Sequence, residues 1–412
     1  MKLGIVDYEL PRGGVERFIE SVLNSLPEET DVTIFSARRA LDGYRALQEK
    51  LARPVRLVDK PVTLHQPALV RDGQAGFHGQ PAFELTEDLW REQDIVWMPW
   101  ANRHAIPPSC HVRTVATIHD VIAVELAEFM AAKLEPVSKF GWLGSVGLED
   151  LLMRRLMGSL ARIAVDAKRT ADHLSKTYGP PVRVPEVIYP ANDHITAIEP
   201  APIGHLGLPP RYLIYPASDS SHKNHETLFM ALAKVKAQAP ESFLPLVLTG
   251  ANIAAIGDGA GYRSNWLRAV IGHLGLRIGR DVLLMGRLSD GEFRSVLQGA
   301  AGLVFPTLAE GFGFPPLEAA YLGVPLAVSD IEIVRETLAQ IEAPALLFRA
   351  QDADDIARTL VRLAQNEAAL RRAIAPCIGR TIGGNWADVG RRYLALFEEQ
   401  RSMAAMYQSY GA

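Results

Sequence analysis

The chain has 412 residues, 48% of them hydrophobic and 22% charged, with a formal net charge of -4. That length predicts two or three domains with ample apolar material for separate cores, and the near-balanced charge excludes the cationic field that a nucleic-acid partner selects. Two cysteines, Cys110 and Cys377, without a CxxC pair, and eleven histidines without an HExxH pattern exclude a disulfide framework and a zinc centre.

Residues 1–7 are too short an apolar run for a signal peptide and read as a buried first strand. No stretch of about 18 uncharged apolar residues is present, so no membrane-spanning helix is expected. The expected location is cytoplasmic and reducing, peripheral to a membrane at most.

Near-continuous apolar runs predict strands at residues 3–7, 32–35, 55–58, 95–100, 112–119, 163–167 and 186–189, each covered on both faces. After the first run comes Pro11-Arg12-Gly13-Gly14. A helix follows, with Val15, Phe18, Ile19, Val22, Leu23 and Leu26 on one stripe. Paired glycines at a helix N-terminus suit close approach of a phosphate, or a turn that simply needs glycine. The turn lacks the GxGxxG fingerprint of a nicotinamide or flavin enzyme. The strand at 112–119 ends in His119-Asp120, a polar pair aimed at the crevice of an α/β sheet. Asp120 either orients the imidazole or caps a helix.

Residues 131–170 hold seven Lys/Arg against four Asp/Glu. That face suits an anionic membrane or a lipid-linked acceptor, or is an ordinary amphipathic helix. Prolines 190, 200, 202, 209 and 210 crowd a linker. A second alternating series then predicts strands at 212–216, 244–248, 282–285, 303–306, 325–328 and 346–348, with helices such as 226–237 and 290–299 between them. Two Rossmann-like halves are the expected architecture.

Lys223, in Ser221-His222-Lys223-Asn224-His225, lies on the loop after the first strand of this series, where a cation can neutralise phosphate. Arg287, in Met285-Gly286-Arg287, is a second candidate cation or a solvated side chain. Glu310-Gly311-Phe312-Gly313-Phe314-Pro315-Pro316-Leu317-Glu318 joins a buried strand to a helix that begins at the prolines. Glu318 is expected in the first helical turn, beside the dipole. Two carboxylates with loop amides between them suit a polyhydroxylated ligand. Asp352-Ala353-Asp354 has the letters of a metal motif but opens a helical stretch, where acids favour the dipole.

The segment from Glu310 to Glu318 resembles the Glu-x7-Glu signature of the retaining glycosyltransferases of family 4, and His222-Lys223-Asn224-His225 and Thr117-Ile118-His119-Asp120 resemble two more of its segments. The resemblance covers nearly the whole chain and is weakest at residues 38–92 and 125–160. The arginine that the family usually places shortly before the lysine is replaced here by Ala217 and Ser218.

The resemblance implies a GT-B fold with two Rossmann-like domains facing each other across a cleft. An acceptor-side domain would cover residues 1–195, a donor-binding domain 206–380, and a final helix, 385–412, would cross back to the first. It implies that His119, Lys223 and Glu310 are catalytic. Donor binding would fall to Gly13, Gly14, Arg287, Gly311, Phe312, Gly313 and Glu318, the last on the ribose hydroxyls. The implied reaction is metal-independent and retaining, with no cofactor. A hexose or deoxyhexose, mannose by preference, would pass from a nucleoside-diphosphate sugar to a glycan or lipid-linked acceptor in bacterial surface polysaccharide synthesis. A nucleotide-sugar epimerase and a non-catalytic binding subunit on the same fold are the alternatives.

Overall fold

The computed structural model describes residues 1–8, 14–60, 63–65, 70–71, 74–75, 82–133 and 136–410. The chain divides into two compact units, one of residues 1–191 and 383–412 and the other of residues 192–382.

The first unit is built on a seven-stranded parallel sheet. Its order is Glu186–Val187, Arg162–Val165, Thr114–Ile118, Ile95–Met98, Lys2–Val6, Asp31–Ser36 and Arg56–Asp59. Strands covered on both faces read as unbroken apolar runs, which made the central five legible, whereas the edge strands Arg56–Asp59 and Glu186–Val187 are only partly buried. Lys2–Val6 pairs with Asp31–Ser36 on one side and Ile95–Met98 on the other, so the strand order reverses at this position. Thr114–Ile118 is shorter than the run 112–119, because Pro108–Arg113 winds into a 3-10 turn first.

Phe18, on the helix Gly14–Asn24, packs edge-on against Trp97 and against Tyr393 of the helix Trp386–Tyr410. The Trp97 indole donates to the Thr117 hydroxyl at 2.9 Å, and Thr117 meets the Tyr393 hydroxyl at 3.2 Å. The buried polar atoms of this aromatic layer thus satisfy one another. A separate cluster joins Trp90, Met98, Met153 and Leu156, the last two from the helix Pro136–Met157. Short strands that the apolar pattern does not mark, Thr63–His65, Ala82–Glu84 and His104–Ala105, form a small second sheet.

The second unit is built on a six-stranded parallel sheet in the order Val282–Gly286, Leu246–Thr249, Leu213–Pro216, Gly302–Phe305, Leu326–Ser329 and Leu346–Phe348. The helix Ala353–Ile374 approaches so closely that a Cβ on Gly302 would lie 2.6 Å from Leu363 Cδ1. Asp352 caps this helix, its Oδ1 accepting from the amides of Asp354 and Asp355 at 3.0 Å. The order reverses between Leu213–Pro216 and Gly302–Phe305, and the carboxyl ends of such a pair are where open α/β sheets take ligands. Cys110 and Cys377 are buried and unpaired. Among the described residues no helix is long and apolar enough to cross a membrane.

Candidate functional site

The loops that leave the two strands at this reversal carry Lys223 and Glu310. After Leu213–Pro216 the chain makes a 3-10 turn, Ser221–Lys223, and enters the helix His225–Gln238 through Asn224. Asn224 is left-handed, with φ 58°, a conformation that asparagine tolerates better than most residues. Its amide donates to Pro306 O at 2.9 Å and Ala350 O at 2.7 Å, while its Oδ1 accepts from the Thr227 hydroxyl at 2.6 Å. Leu308 N donates to His222 O at 2.8 Å, and the Tyr215 hydroxyl donates to Lys223 O at 2.8 Å. The two loops are therefore stitched together beneath their functional side chains.

Above that stitching, Lys223 Nζ lies 2.6 Å from Glu310 Oε1. The ammonium also sits 6.0 Å from the centre of the Phe305 ring. A mostly buried cation paired to a carboxylate can turn toward an anionic ligand while the carboxylate accepts from a hydroxyl. His222 and His225, on either side of Lys223 and Asn224, are neutral because burial pushes their pKa values down to about 2 and about 3. Lys223 is thus the cation of its own tetrapeptide.

Beyond Glu310, Gly311-Phe312-Gly313 leads into the helix Phe314–Tyr321. Gly313 has φ 87°, a left-handed value that a side chain strains, and the prolines follow in the first turn. Because the helix starts at Phe314, Glu318 is its fifth residue and lies beyond the first turn, which holds no acid. This corrects the expected placement and weakens a dipole role for Glu318. The carboxylate is buried, and its Oε1 is 3.0 Å from Nε2 of His194. Phe314 packs edge-on against both Phe312 and the His194 ring.

Arg287 is exposed and follows the edge strand Val282–Gly286, with one strand between that edge and Leu213–Pro216 and two between it and Gly302–Phe305. The arginine beside the lysine loop is Arg263. Its Nε donates to Asp219 O at 3.0 Å, and its terminal nitrogens grip both carboxylate oxygens of Glu226 at 2.5 and 2.9 Å. In this unit the sequence did not single out His194 and Arg263, nor the joining role of Asn224. Only Asn224 had a usable local signal, an asparagine directly before a helix.

In the first unit, Gly13 lies outside the described residues, and Gly14 opens the helix Gly14–Asn24. His119 follows Thr114–Ile118 and is buried. Its carboxylate partner is Asp166 rather than Asp120. Ile118 and Val165 are register partners, so the next residue of each strand lies alongside the other, and His119 Nδ1 meets Asp166 Oδ2 at 2.5 Å. His119 Nε2 meets Pro99 O at 2.7 Å. Burial works against the imidazolium, but Asp166 and the Pro99 carbonyl outweigh it and raise the pKa. Asp120 instead accepts from Ile122 N at 3.0 Å, at the start of a short helix. The Asn102 amide links Asp120 O, at 2.8 Å, to Glu149 Oε1, at 3.2 Å. A cavity of about 250 Å³ in this unit is lined by His104, His111 and Leu152 among others, and by none of the expected site residues.

Residues 204–376 match the family model described as glycosyl transferases group 1. The serotype-specific mannosyltransferase WbdA of Escherichia coli is 30% identical over 108 residues, 26% of this chain and 13% of that protein. The O-antigen chain mannosyltransferase RfbU of Salmonella typhimurium is 36% identical over 63 residues, 15% of this chain and 18% of that protein. The aligned part therefore spans less than a fifth of either relative. Among solved structures, Anabaena Alr3699/HepE in complex with UDP and glucose superposes with a TM-score of 0.65 at 14% identity, over 97% of this chain and 100% of that one. That likeness is one of fold. The span that carries Lys223, Glu310 and Glu318 thus matches the glycosyl transferases group 1 model, and the chain as a whole carries the GT-B fold.

Proposed function

We propose that the protein transfers a hexose or deoxyhexose, mannose first among them, from a nucleoside-diphosphate sugar to a glycan or lipid-linked acceptor in bacterial surface polysaccharide synthesis. The observation that carries this reading is the Lys223–Glu310 pair at the strand-order reversal of the second sheet, 2.6 Å apart. The mannosyltransferase names of the two partial relatives support the choice of sugar.

In this reading Lys223 and the amides of the Gly311–Gly313 loop stabilise the departing diphosphate, a fixed electrostatic arrangement that needs no reorganisation as charge develops. Glu310 accepts from a donor-sugar hydroxyl, and Glu318 from the ribose. The bond from the anomeric carbon to the diphosphate oxygen breaks, and a bond to the acceptor oxygen forms on the same face of the ring. The acceptor proton passes to the departing phosphate. His119, with both ring nitrogens engaged, serves better as a fixed positive charge than as a proton carrier.

A transfer assay with GDP-, UDP- and dTDP-sugars on wild type and Lys223→Ala tests the reading. The variant should fold normally and turn over about a hundredfold more slowly, the scale of losing one preorganised charge stabiliser. Turnover near wild type at saturating donor would remove Lys223 from the mechanism. Donor converted to an isomeric nucleotide sugar without any acceptor would favour epimerisation.

A further inference from the structure

We propose that His194 is a positioning residue for nucleotide recognition: it holds the Glu318 carboxylate in the orientation from which that group accepts hydrogen bonds from the ribose of a nucleoside diphosphate. The inference rests on the reading of Glu318 given above and adds a residue outside the Glu310–Glu318 segment to it.

A glutamate side chain has three rotatable bonds, and a buried carboxylate without a donor is costly. The contact with His194 helps to meet both constraints. His194 Nε2 lies 3.0 Å from Glu318 Oε1, with side-chain exposures of 10% and 4%. Glu318 is an acceptor, so the imidazole donates from Nε2. A carboxylate offers about four acceptor positions, and this bond takes one.

The donor is itself held still. His194 opens the short helix His194–Ala197, and its ring packs edge-on against Phe314, 6.3 Å between centroids. Two residues earlier, the Asn192 amide donates to Leu317 O at 3.3 Å. Residues 192–194 are thus fastened to the turn that carries Glu318, once through its backbone and once through the carboxylate. A lysine at 194 would bring a flexible stem and a second full charge, whereas the imidazole supplies one donor in a fixed plane. The geometry holds the carboxylate in one direction.

Calorimetry on the full chain tests this with UDP and GDP and their 2′,3′-dideoxy counterparts. The variants are His194→Ala, His194→Phe, His194→Gln and Glu318→Ala. Wild type should bind whichever ribonucleotide it prefers at least tenfold more tightly than the dideoxy form. Glu318→Ala should abolish that discrimination. His194→Ala should reduce it about fivefold by weakening the ribonucleotide while sparing the dideoxy form. His194→Phe keeps the ring packing on Phe314 and should behave like alanine, which separates lost orientation from lost folding. His194→Gln, with an amide donor, should recover most of it.

Undiminished discrimination in His194→Ala or His194→Phe alongside its loss in Glu318→Ala would overturn the role of His194 alone. Equal weakening of ribo and dideoxy forms would also overturn it, as the mark of a merely structural contact. Discrimination that survives in Glu318→Ala, or a wild type that binds neither UDP nor GDP, would overturn the reading of Glu318 and this proposal with it.

Discussion

Glu149 has a buried carboxyl whose pKa burial pushes up to about 7; Asp120 adds to the shift, while Arg103 and the Asn102 amide oppose it. An acid whose folded pKa exceeds its unfolded value contributes stability below about pH 4.5, and that contribution is lost as pH rises through about 7. Glu149→Gln keeps an acceptor for Asn102 and removes the buried charge. It should leave stability near pH 4.5 nearly unchanged and raise it at pH 8 by about 3 kcal/mol. Denaturant midpoints at the two pH values measure this, and equal shifts at both would contradict it. His119, raised by Asp166 and Pro99 against burial, adds stability below its unfolded value that is lost as pH rises through its higher folded value. His104 has the opposite sign. Burial lowers it to about 3, so its contribution is present above about pH 6.5 and lost as pH falls.

At the scale of elements, the site depends on two loops that would not stay together on local propensity alone. Asn224 joins them by two amide hydrogen bonds and a left-handed turn. Asn224→Ala forfeits these two bonds and the one from the Thr227 hydroxyl at about 1 kcal/mol each and adds about 1 kcal/mol of backbone strain, for a loss of about 4 kcal/mol. Asn224→Gly forfeits the bonds without adding the strain and should fall between alanine and wild type. Thermal or denaturant unfolding gives the order, and glycine below alanine would show that Asn224 does not act through its φ.

The thirteen main strands were legible because each overlaps an apolar run, whereas the two- and three-residue strands between 63 and 105 carry too few side chains to show a period. The start of the helix at Phe314 was misjudged because prolines mark a first turn without fixing which position they take in it. Asp166 and His194 escaped because their partners are set by register and tertiary contact, across 47 and 124 residues of chain. No spacing rule reaches that far.

For the whole molecule, each unit closes its own parallel sheet, and the family match lies within the second. Lys223, Glu310 and Glu318 fall in that unit, on segments that meet at one reversal of strand order. The central claim is that these segments form the donor-nucleotide site. Amide hydrogen exchange on the full chain, with and without a saturating nucleoside diphosphate, tests it most directly, since bound ligand stabilises the segments it contacts. Protection is expected at residues 217–226 and 307–320. Nucleotide bound, with those two segments exchanging at unchanged rates and protection lying elsewhere, would contradict the claim.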